Sequence, residues 1–455
     1  MTRLTIPWRA GALALSGLLV FAAGCGVAAE PDDSPEPTVA PPVGTADAFG
    51  SLYGRVTTYD GDTYKGPLRW GNGEEAFWDH TFNGTKDVNP WAALTPVARL
   101  AEERRPVTVL GFRLPWDEPR VDLRRPFMAR FGDIARIESR GDGMRGVLRD
   151  GARFDPQVRV TLKSGTAFDL DRLAASDFDD GVRMWDEARG VVDLAASEIR
   201  TIDLFAPDAP NDAADRLYGT VRTPQGDFTG FLQWDREEAL GRDELVGSTA
   251  GGQRRLRFDA IRSIARSAGG GGVLVTTLDG PEIALSGTRQ LGPTNRGIYV
   301  EDVRFGRVLV SWDAFERVDF RRGGPGPSYD DFSPGRPLAG RVTTRDGRRL
   351  AGRLVYDLDE RETTETLDAP FGGVDYTIPF GDVASIAFPE LDGETEHVTV
   401  TLVGGESLRL EPGGDLGGGD AGMLVLTDDP EHPEFVPWPD VARVDFDAEP
   451  AAPER

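Results

Sequence analysis

The stretch LYGRVTTYDGDTYKGPLRW, Leu52–Trp70, recurs twice along the chain in recognisable form. The second occurrence is LYGTVRTPQGDFTGFLQW, Leu217–Trp234, and the third is LAGRVTTRDGRRLAGRLVY, Leu338–Tyr356. Similarity of this kind between distant segments is the signature of an internal repeat, in which each copy is one structural unit. The sequence therefore predicts three copies of one unit.

Matching segments follow this opening in every copy. A short apolar segment comes next, reading FGDIARI, FDAIRSI and FGDVASI. A second half then opens with VTLKSGTAFDL, VTTLDGPEIAL and VTLVGGESLRL, and closes with IRTIDL, FERVDF and VARVDF. We place the copies at residues 50–205, 215–320 and 337–446, and name them copy 1, copy 2 and copy 3.

Each copy has the composition and spacing of β structure. Val and Thr in GRVTT favour strand, and the dipeptide Asp60-Gly61 favours a two-residue hairpin because that turn needs positive φ. Leu68 and Trp70 lie two apart on the returning strand and so share a face, while Gly66 permits a bulge or bend. The predicted fold class is all-β, with three repeats that each hold two small barrel-like or sandwich-like halves.

The order of these elements resembles that of known small barrels. A strand, an Asp-Gly turn, a Gly-x-Leu strand and a later Ile-x-x-Ile segment are similar to Sm-like and PRC-barrel domains, and to repeats of uncharacterised exported bacterial proteins. The resemblance is one of rhythm, without a diagnostic motif. It implies a small-barrel fold and carries no activity with it.

Copy 1 carries an insertion at about residues 80–130 that the other copies lack. Its segment NPWAALTPVARLAEERR, residues 89–105, predicts a short helix. Asn89 is placed to cap that helix and Pro90 to open it, although Pro96 interrupts it. An embellishment found on one copy is a reasonable place for a specialised role.

Seven of the nine tryptophans fall into two groups. Those at recurring strand positions are expected in the core, and they are Trp70, Trp234, Trp312 and Trp438. Those found in copy 1 alone have no repeated partner and are candidates for an exposed recognition surface, and they are Trp78, Trp91 and Trp116.

The N-terminus has the pattern of an export signal. Arg3 and Arg9 precede an apolar run, residues 10–24, that is short for a bilayer span but suits a signal peptide. The run ends AAGC, which resembles the lipobox of bacterial lipoproteins, with Ala22 where that family usually has Leu. The resemblance implies that residues 1–24 are removed and that Cys25 is diacylated and becomes the mature N-terminus. A plain secretory peptide and an uncleaved anchor are the alternatives.

This resemblance also implies a location. We expect an exported protein that is lipid-anchored to a cell membrane. The outer membrane is favoured if the organism has one, because Gly26 is not the Asp that retains many lipoproteins at the inner membrane. Residues 25–49 are rich in Pro, Ala and acid and predict a disordered tether, and residues 447–455 predict a disordered tail.

The charge and the residue inventory exclude several classes of function. The formal net charge of −25 argues against non-specific nucleic-acid binding. The three histidines, His80, His397 and His432, show no metal-ligand spacing, and no nucleophile, zinc-protease or phosphate-loop motif occurs. We predict no catalytic residue, no cofactor and no metal ligand.

Acidic residues supply two alternatives. Carboxylate pairs follow the first hairpin of every copy and suggest either polar turns or a glycosidase-type acid and base, at Glu74 and Glu75, Glu237 and Glu238, and Asp359 and Glu360. Other acids cluster near glycine turns and suggest calcium, at Asp60 and Asp62 and at Asp177, Asp179 and Asp180.

These observations favour a non-enzymatic membrane-anchored envelope lipoprotein that acts as a β-repeat binding or scaffolding module. Its expected partner is an envelope protein or a glycan, because repeat arrays offer extended surfaces. The alternatives are a carboxylate-dependent polysaccharide or peptidoglycan hydrolase and a calcium-stabilised surface module.

Overall fold

A computed structural model provides the coordinates of the chain. It describes residues 52–71, 76–78, 81–86, 89–91, 94–95, 104–105, 108–109, 112–113, 120–121, 125–140, 157–171, 177–186, 188–207, 216–269, 271–323, 326–389, 397–417, 421–427 and 433–447. The described residues form antiparallel strands joined by turns and short 3₁₀ segments, and no helix among them reaches seven residues. The predicted all-β class is confirmed.

The described residues of copy 1 form fourteen strands. They are β1 (Leu52–Thr58), β2 (Thr63–Trp70), β3 (Thr81–Thr85), β4 (Arg104–Arg105), β5 (Thr108–Val109), β6 (Phe112–Arg113), β7 (Arg120–Val121), β8 (Pro126–Arg130), β9 (Ile134–Arg140), β10 (Gln157–Leu162), β11 (Ala167–Asp171), β12 (Val182–Asp186), β13 (Gly190–Leu194) and β14 (Ile199–Leu204). Eight of them form one sheet, in the order β11-β10-β9-β14-β1-β2-β12-β13, and the others form three two-stranded sheets, β3-β8, β4-β7 and β5-β6.

Copies 2 and 3 contribute ten strands each. Those of copy 2 are β15 (Tyr218–Thr223), β16 (Gly226–Gln233), β17 (Glu244–Thr249), β18 (Gly252–Arg257), β19 (Ile261–Arg266), β20 (Gly272–Thr277), β21 (Glu282–Ser286), β22 (Ile298–Asp302), β23 (Gly306–Val310) and β24 (Arg317–Phe320). Those of copy 3 are β25 (Ala339–Thr344), β26 (Arg349–Tyr356), β27 (Thr366–Phe371), β28 (Val374–Pro379), β29 (Val383–Ala387), β30 (Val398–Leu402), β31 (Ser407–Leu410), β32 (Gly422–Leu426), β33 (Glu434–Pro437) and β34 (Val441–Phe446).

The strand order of the three large sheets corresponds position by position. Copy 3 forms the order β31-β30-β29-β34-β25-β26-β32-β33, and copy 2 contains the order β21-β20-β19-β24-β15-β16-β22-β23. The sheet of copy 2 is extended at both ends, by β18-β17 on one side and by β28-β27 on the other. Because β27 and β28 come from copy 3, this sheet joins the two copies.

The first hairpin of copy 1 forms where the sequence predicts it, with a longer turn. β1 and β2 pair from Leu52 with Leu68 to Thr57 with Thr63. Of the two turn residues singled out, only Gly61 has positive φ, at 88°. The turn is therefore not the predicted two-residue type, in which both central residues need positive φ.

Cross-strand glycine pairs let neighbouring strands approach closely. Gly54 pairs with Gly66 across the first hairpin, as Gly219 does with Gly230 and Gly340 with Gly352. A Cβ on Gly66 would lie 2.2 Å from the carbonyl oxygen of Trp185 on β12. The glycine inside the second strand is thus required where the next strand of the sheet joins.

Equivalent aromatic residues form the centre of each copy's core. Trp70, Trp234 and Tyr356 are each at most 1% exposed. The ring of Trp70 lies 5.3 Å from that of Phe131, and its indole N–H donates to the carbonyl oxygen of Asp177 at 3.0 Å. Trp234 and Tyr356 make the corresponding polar contacts with carbonyl oxygens of later 3₁₀ turns. Trp312 and Trp438 are buried as well, so the predicted core placement of all four recurring tryptophans is confirmed.

Two finer expectations concern the halves of each copy and the helix of the insertion. The predicted halves of each copy share one sheet, since β14 of the second half pairs with both β1 and β9 of the first. Three of the six residues of β14 are fully or nearly fully buried apolar residues, Ile199, Ile202 and Leu204, which explains its central place. The predicted helix at residues 89–105 falls largely outside the described residues, and its last two form the strand β4.

Candidate binding cleft and the adjoining lysine pocket

The segment between copies 2 and 3 packs against copy 1. Its residues Tyr329 and Phe332 are each 8% exposed and belong to the apolar cluster of copy 1. Lys163 donates from Nζ to the carbonyl oxygens of both residues, at 2.9 Å for Phe332, and its Nζ lies 3.5 Å from the centroid of the Tyr329 ring. Tyr329 and Phe332 therefore hold the segment between copies 2 and 3 against copy 1.

A cleft of about 940 Å³ lies where the three copies meet, and we name it the central cleft. Its walls include Trp78 and Arg130 from copy 1, Phe231 and Arg304 from copy 2, and Asp382 from copy 3. Only the folded arrangement brings these residues together, because they come from all three copies. Clefts of this size are the usual places for ligands.

Aromatic rings line one side of the central cleft. The Trp78 ring lies 5.0 Å from that of Phe231, which lies 5.3 Å from that of Tyr218. Trp78 is 7% exposed, so the prediction that it offers an exposed aromatic face is wrong. Its indole N–H has no hydrogen-bond partner among the described residues. A buried donor without an acceptor is costly and is satisfied when an acceptor arrives.

The cations at the central cleft are held by neighbouring acids. Arg130 Nε lies 2.7 Å from Asp133 Oδ2, and Arg304 Nη2 lies 2.7 Å from Asp302 Oδ2. Burial raises the pKa of Asp382, and the charge of Arg130 opposes that shift. The cleft therefore presents paired charges around an aromatic wall.

The turn between β22 and β23 carries an exposed aliphatic residue at the cleft. Val303 is 98% exposed and borders the central cleft. Val303, Tyr218 and Phe231 were not singled out from the sequence. They occupy ordinary strand and turn positions, and no local pattern distinguishes them from core or surface residues.

A second cavity, of about 220 Å³, lies between copies 1 and 3, and we name it the lysine pocket. Lys86, at the end of the hairpin that carries the insertion, reaches copy 3 there. Its Nζ lies 2.5 Å from Asp359 Oδ1 and 2.7 Å from Glu365 Oε1. The three side chains are 7–11% exposed, so the ion pairs are shielded from water.

Trp91 forms part of the lysine pocket. It is half-buried, and the guanidinium of Arg361 lies 5.8 Å from its ring centroid and 4.8 Å from that of Phe168. Asn89 accepts a hydrogen bond from the Trp91 N–H at 3.0 Å and donates one to the Leu358 carbonyl oxygen at 2.9 Å. Asn89 thus ties the start of the insertion to copy 3.

Buried carboxyl groups surround Lys86. Burial raises the pKa of Lys86's partner Asp359, although the charge of Lys86 opposes the shift. Burial also raises the pKa of Glu360 well above its ordinary value, and the charge of Asp359 adds to this. The pKa of Asp415 is raised to about 8 by burial and by the charge of Asp368.

The raised pKa of Asp415 predicts that the stability of the fold depends on pH, and that Asp415→Asn reduces this dependence. A carboxyl whose pKa is higher in the folded state stabilises the fold below its unfolded pKa, about 3.9. That contribution is lost as the pH rises towards 8. Asparagine keeps an acceptor for the Asp368 N–H, which Asp415 Oδ2 accepts at 2.6 Å. We expect the variant to be more stable than the wild type at pH 8, by about 2 kcal/mol.

Urea unfolding at pH 5 and pH 8 measures this difference. Asp440→Asn, at an exposed position of the same copy, is the matched control. A difference between Asp415→Asn and the wild type that is equal at the two pH values would contradict the prediction.

The remaining predicted positions are distributed as follows. Cys25, Trp116, Glu74, Glu75, His80 and His432 lie outside the described residues. Glu237 pairs with Arg289 and Arg296, at 2.6 and 2.7 Å. Glu238 closes a turn by a bridge between its backbone and that of Trp234, as Glu360 does with Tyr356. At these two turns the carboxylate pairs occupy equivalent positions.

The candidate calcium acids take part in protein contacts. Asp62 Oδ1 lies 3.1 Å from Arg189 Nη2, and Asp177 Oδ2 accepts hydrogen bonds from Asn83 N and Nδ2 at 2.8 and 2.9 Å. In the described part of the chain, no three His, Cys, Asp or Glu side chains are grouped as a metal ion requires.

No family model matches the chain, and no curated protein or solved structure matches it. Among the residues with described structure, no helix has the length and apolar character needed to cross a bilayer.

Proposed function

We propose that the chain is an exported lipoprotein, anchored to a cell membrane through Cys25, that acts as a non-enzymatic binding or scaffolding module made of three β repeats. The observation that carries the proposal is the central cleft, whose walls come from all three copies. The equivalent strand orders support the interpretation as repeats. The lipid anchor rests on the lipobox-like sequence.

An envelope protein is the partner we favour over a glycan. Val303, with 98% exposure beside Tyr218 and Phe231, offers an aliphatic and aromatic contact surface of the kind found at the centre of protein interfaces. The outer membrane remains the location we favour if the organism has one.

Crosslinking in cells, followed by affinity purification and mass spectrometry of the full-length chain, tests the proposal. We expect Val303→Asp to lower recovery of a stoichiometric envelope protein by about tenfold, because a charge there opposes burial of the contact. Leu278→Asp is the matched control, since Leu278 is 53% exposed on another turn of copy 2. Cys25→Ser is expected to abolish membrane attachment. Equal recovery with both aspartate variants would contradict the assignment of the cleft.

The hydrolase alternative has one observation in its favour. Glu360 and Asp415 carry raised pKa values near the pocket at the insertion, and a raised pKa is what a general acid requires. Turnover of a polysaccharide or peptidoglycan that Glu360→Gln abolishes would favour this alternative over the binding module. A melting temperature that rises in millimolar calcium would instead favour the calcium-stabilised module.

A further inference from the structure

The edge of copy 2's sheet shows how one copy adds a strand to another. β28 of copy 3 pairs antiparallel with β23 of copy 2, and the paired residues are Arg307 with Thr377, Val308 with Tyr376, Leu309 with Asp375 and Val310 with Val374. A Cβ on Gly306, at the start of β23, would lie 2.7 Å from the carbonyl oxygen of Thr377. The glycine thus leaves room for the incoming strand.

Among the strands that the structure describes, the equivalent strand of copy 1 has no such partner. The segments 182–204 and 298–320 align without a gap, which places β13 at the position of β23 and Gly190 at that of Gly306. β13 is the terminal strand of its sheet. A Cβ on Gly190 would meet nothing within 4 Å, and Val191 is 51% exposed. An edge strand of this kind directs unpaired N–H and C=O groups outward.

Copy 2 presents the equivalent of the incoming strand. β18 and β28 each have six residues and each precede a 3₁₀ turn that begins with Phe, at Phe258 and Phe380. β18 is also the terminal strand of its sheet, and five of its six residues are exposed. β18 therefore occupies the position in copy 2 that β28 occupies in copy 3. Its outer edge is not paired with any other described strand.

The side chains of β18 suit the edge of copy 1. In copy 2 the incoming Tyr376 ring lies 5.9 Å from the rings of both Phe228 and Phe305. Copy 1 has Tyr64 and Arg189 at those positions, with the Arg189 guanidinium 4.6 Å from the Tyr64 ring centroid. β18 carries Arg254 where β28 carries Tyr376. Arg254 would share the Tyr64 ring with Arg189, as a cation–π contact, and the Asp62 carboxylate, 3.1 Å from Arg189 Nη2, offsets the added positive charge.

Charge complementarity agrees with this match. The Asp193 side chain on β13 is 68% exposed and is bound on its own sheet by Arg183, at 2.6 Å. β18 offers the exposed residues Arg254 and Arg255, which can share this exposed carboxylate. Opposite charges at an edge favour association in a chain whose net charge of −25 otherwise disfavours it. The third equivalent edge, β33, is less suited, because it has four residues and includes Pro437, which lacks an N–H.

We propose that β13 of one molecule accepts β18 of a second copy of this chain, by addition of a strand to the sheet edge. The register follows that of β23 with β28, so Val191 lies opposite Arg255, Val192 opposite Arg254, and Asp193 opposite Gln253. The contact is head to tail, since the two surfaces differ, and a dimer retains one unused β13 edge on one molecule and one unused β18 edge on the other. This self-association involves neither the central cleft nor the proposed partner.

Sedimentation of the full-length chain in detergent tests the proposal through two variants. Asp193→Arg blocks β13, and Arg254→Glu with Arg255→Glu blocks β18. We expect the wild type to associate with increasing concentration and each variant alone to stay monomeric, because its two edges then carry the same charge. A 1:1 mixture of the two variants is expected to associate again, because the unaltered edges can pair and the two altered edges are also opposite in charge. Only a head-to-tail contact gives this rescue. A monomeric wild type, or a mixture that stays monomeric, would overturn the proposal.

Disulfide formation tests the register. Val191→Cys in one chain and Arg255→Cys in another are expected to crosslink on mild oxidation at least tenfold more than Val191→Cys with Gln253→Cys, which is two residues out of register. Chains without an introduced cysteine control for Cys25. Equal crosslinking of the two pairs would refute strand pairing in this register even if the molecules associate.

Discussion

Lys86→Met is expected to lower the free energy of unfolding by about 3–5 kcal/mol, the cost of leaving buried charges without their partner. Lys86 Nζ lies within 2.7 Å of both Asp359 and Glu365, whose side chains are each 7% exposed. Burial alone would lower the pKa of Lys86, and the charges of Glu365 and Asp359 raise it above the ordinary value. Methionine preserves the length and the packing of the side chain while removing the charge. Urea unfolding at neutral pH measures the loss.

Two controls separate the charge effect from packing. Asp359→Asn and Glu365→Gln, added to Lys86→Met, are expected to recover part of the lost stability, because the uncompensated charges are then absent. Arg183→Met removes an exposed partner of Asp193 in the same copy and is expected to leave the unfolding midpoint unchanged. If Lys86→Met shifts the midpoint no more than Arg183→Met does, the shielded ion pair does not stabilise the junction of copies 1 and 3.

Gly230→Ala is expected to destabilise the protein by about 3–5 kcal/mol or to prevent folding, because it forces two strands of one sheet apart. The added Cβ would lie 1.8 Å from the carbonyl oxygen of Glu301 and 2.5 Å from its carbonyl carbon. Gly230 on β16 pairs with Asp302 on β22. Nothing flexible is available to move aside, since the clashing atoms belong to the backbone of β22. The yield of soluble protein and its thermal unfolding report the effect.

Gly404→Ala is the matched control. A Cβ at Gly404 would meet nothing within 4 Å, and its φ is not positive, so this substitution is expected to be neutral. Comparable stability of Gly230→Ala and the wild type would mean that β16 and β22 do not pair as closely as described.

The hairpins and the core aromatics were predictable because their signals are local. Alternation along a strand determines which residues share a face, so Leu68 and Trp70 could be assigned to one side of β2 before any sheet was known. Repetition strengthened these assignments, since a position that carries Trp, Trp and Tyr in three copies is a packing position. Leu68 and Trp70 are each at most 1% exposed.

The assignment of Trp78 to an exposed surface was wrong because the contacts that bury it are not local in the sequence. It was inferred from the lack of a repeated partner, but the ring is covered by residues distant in sequence, Phe231 and Gly326. The same limit applies to Tyr329 and Phe332, whose Pro- and Gly-rich surroundings indicate a linker. Their burial depends on Lys163 and Gly132 of copy 1.

The amino-acid pattern was sufficient for the β class, the hairpins and the recurring core residues, because each depends on neighbours a few residues away or on repetition. The close strand approach at Gly66, where a bulge or bend was predicted, was seen only in the folded chain. The addition of β28 to β23, the insertion of Lys86 among the acids of copy 3, and the central cleft required the folded chain. These contacts join residues from different copies, and their energies depend on burial and on opposing backbone edges. Hairpins at equivalent positions therefore end in different surroundings, with β27–β28 paired with the preceding copy and β17–β18 exposed at the edge of a sheet.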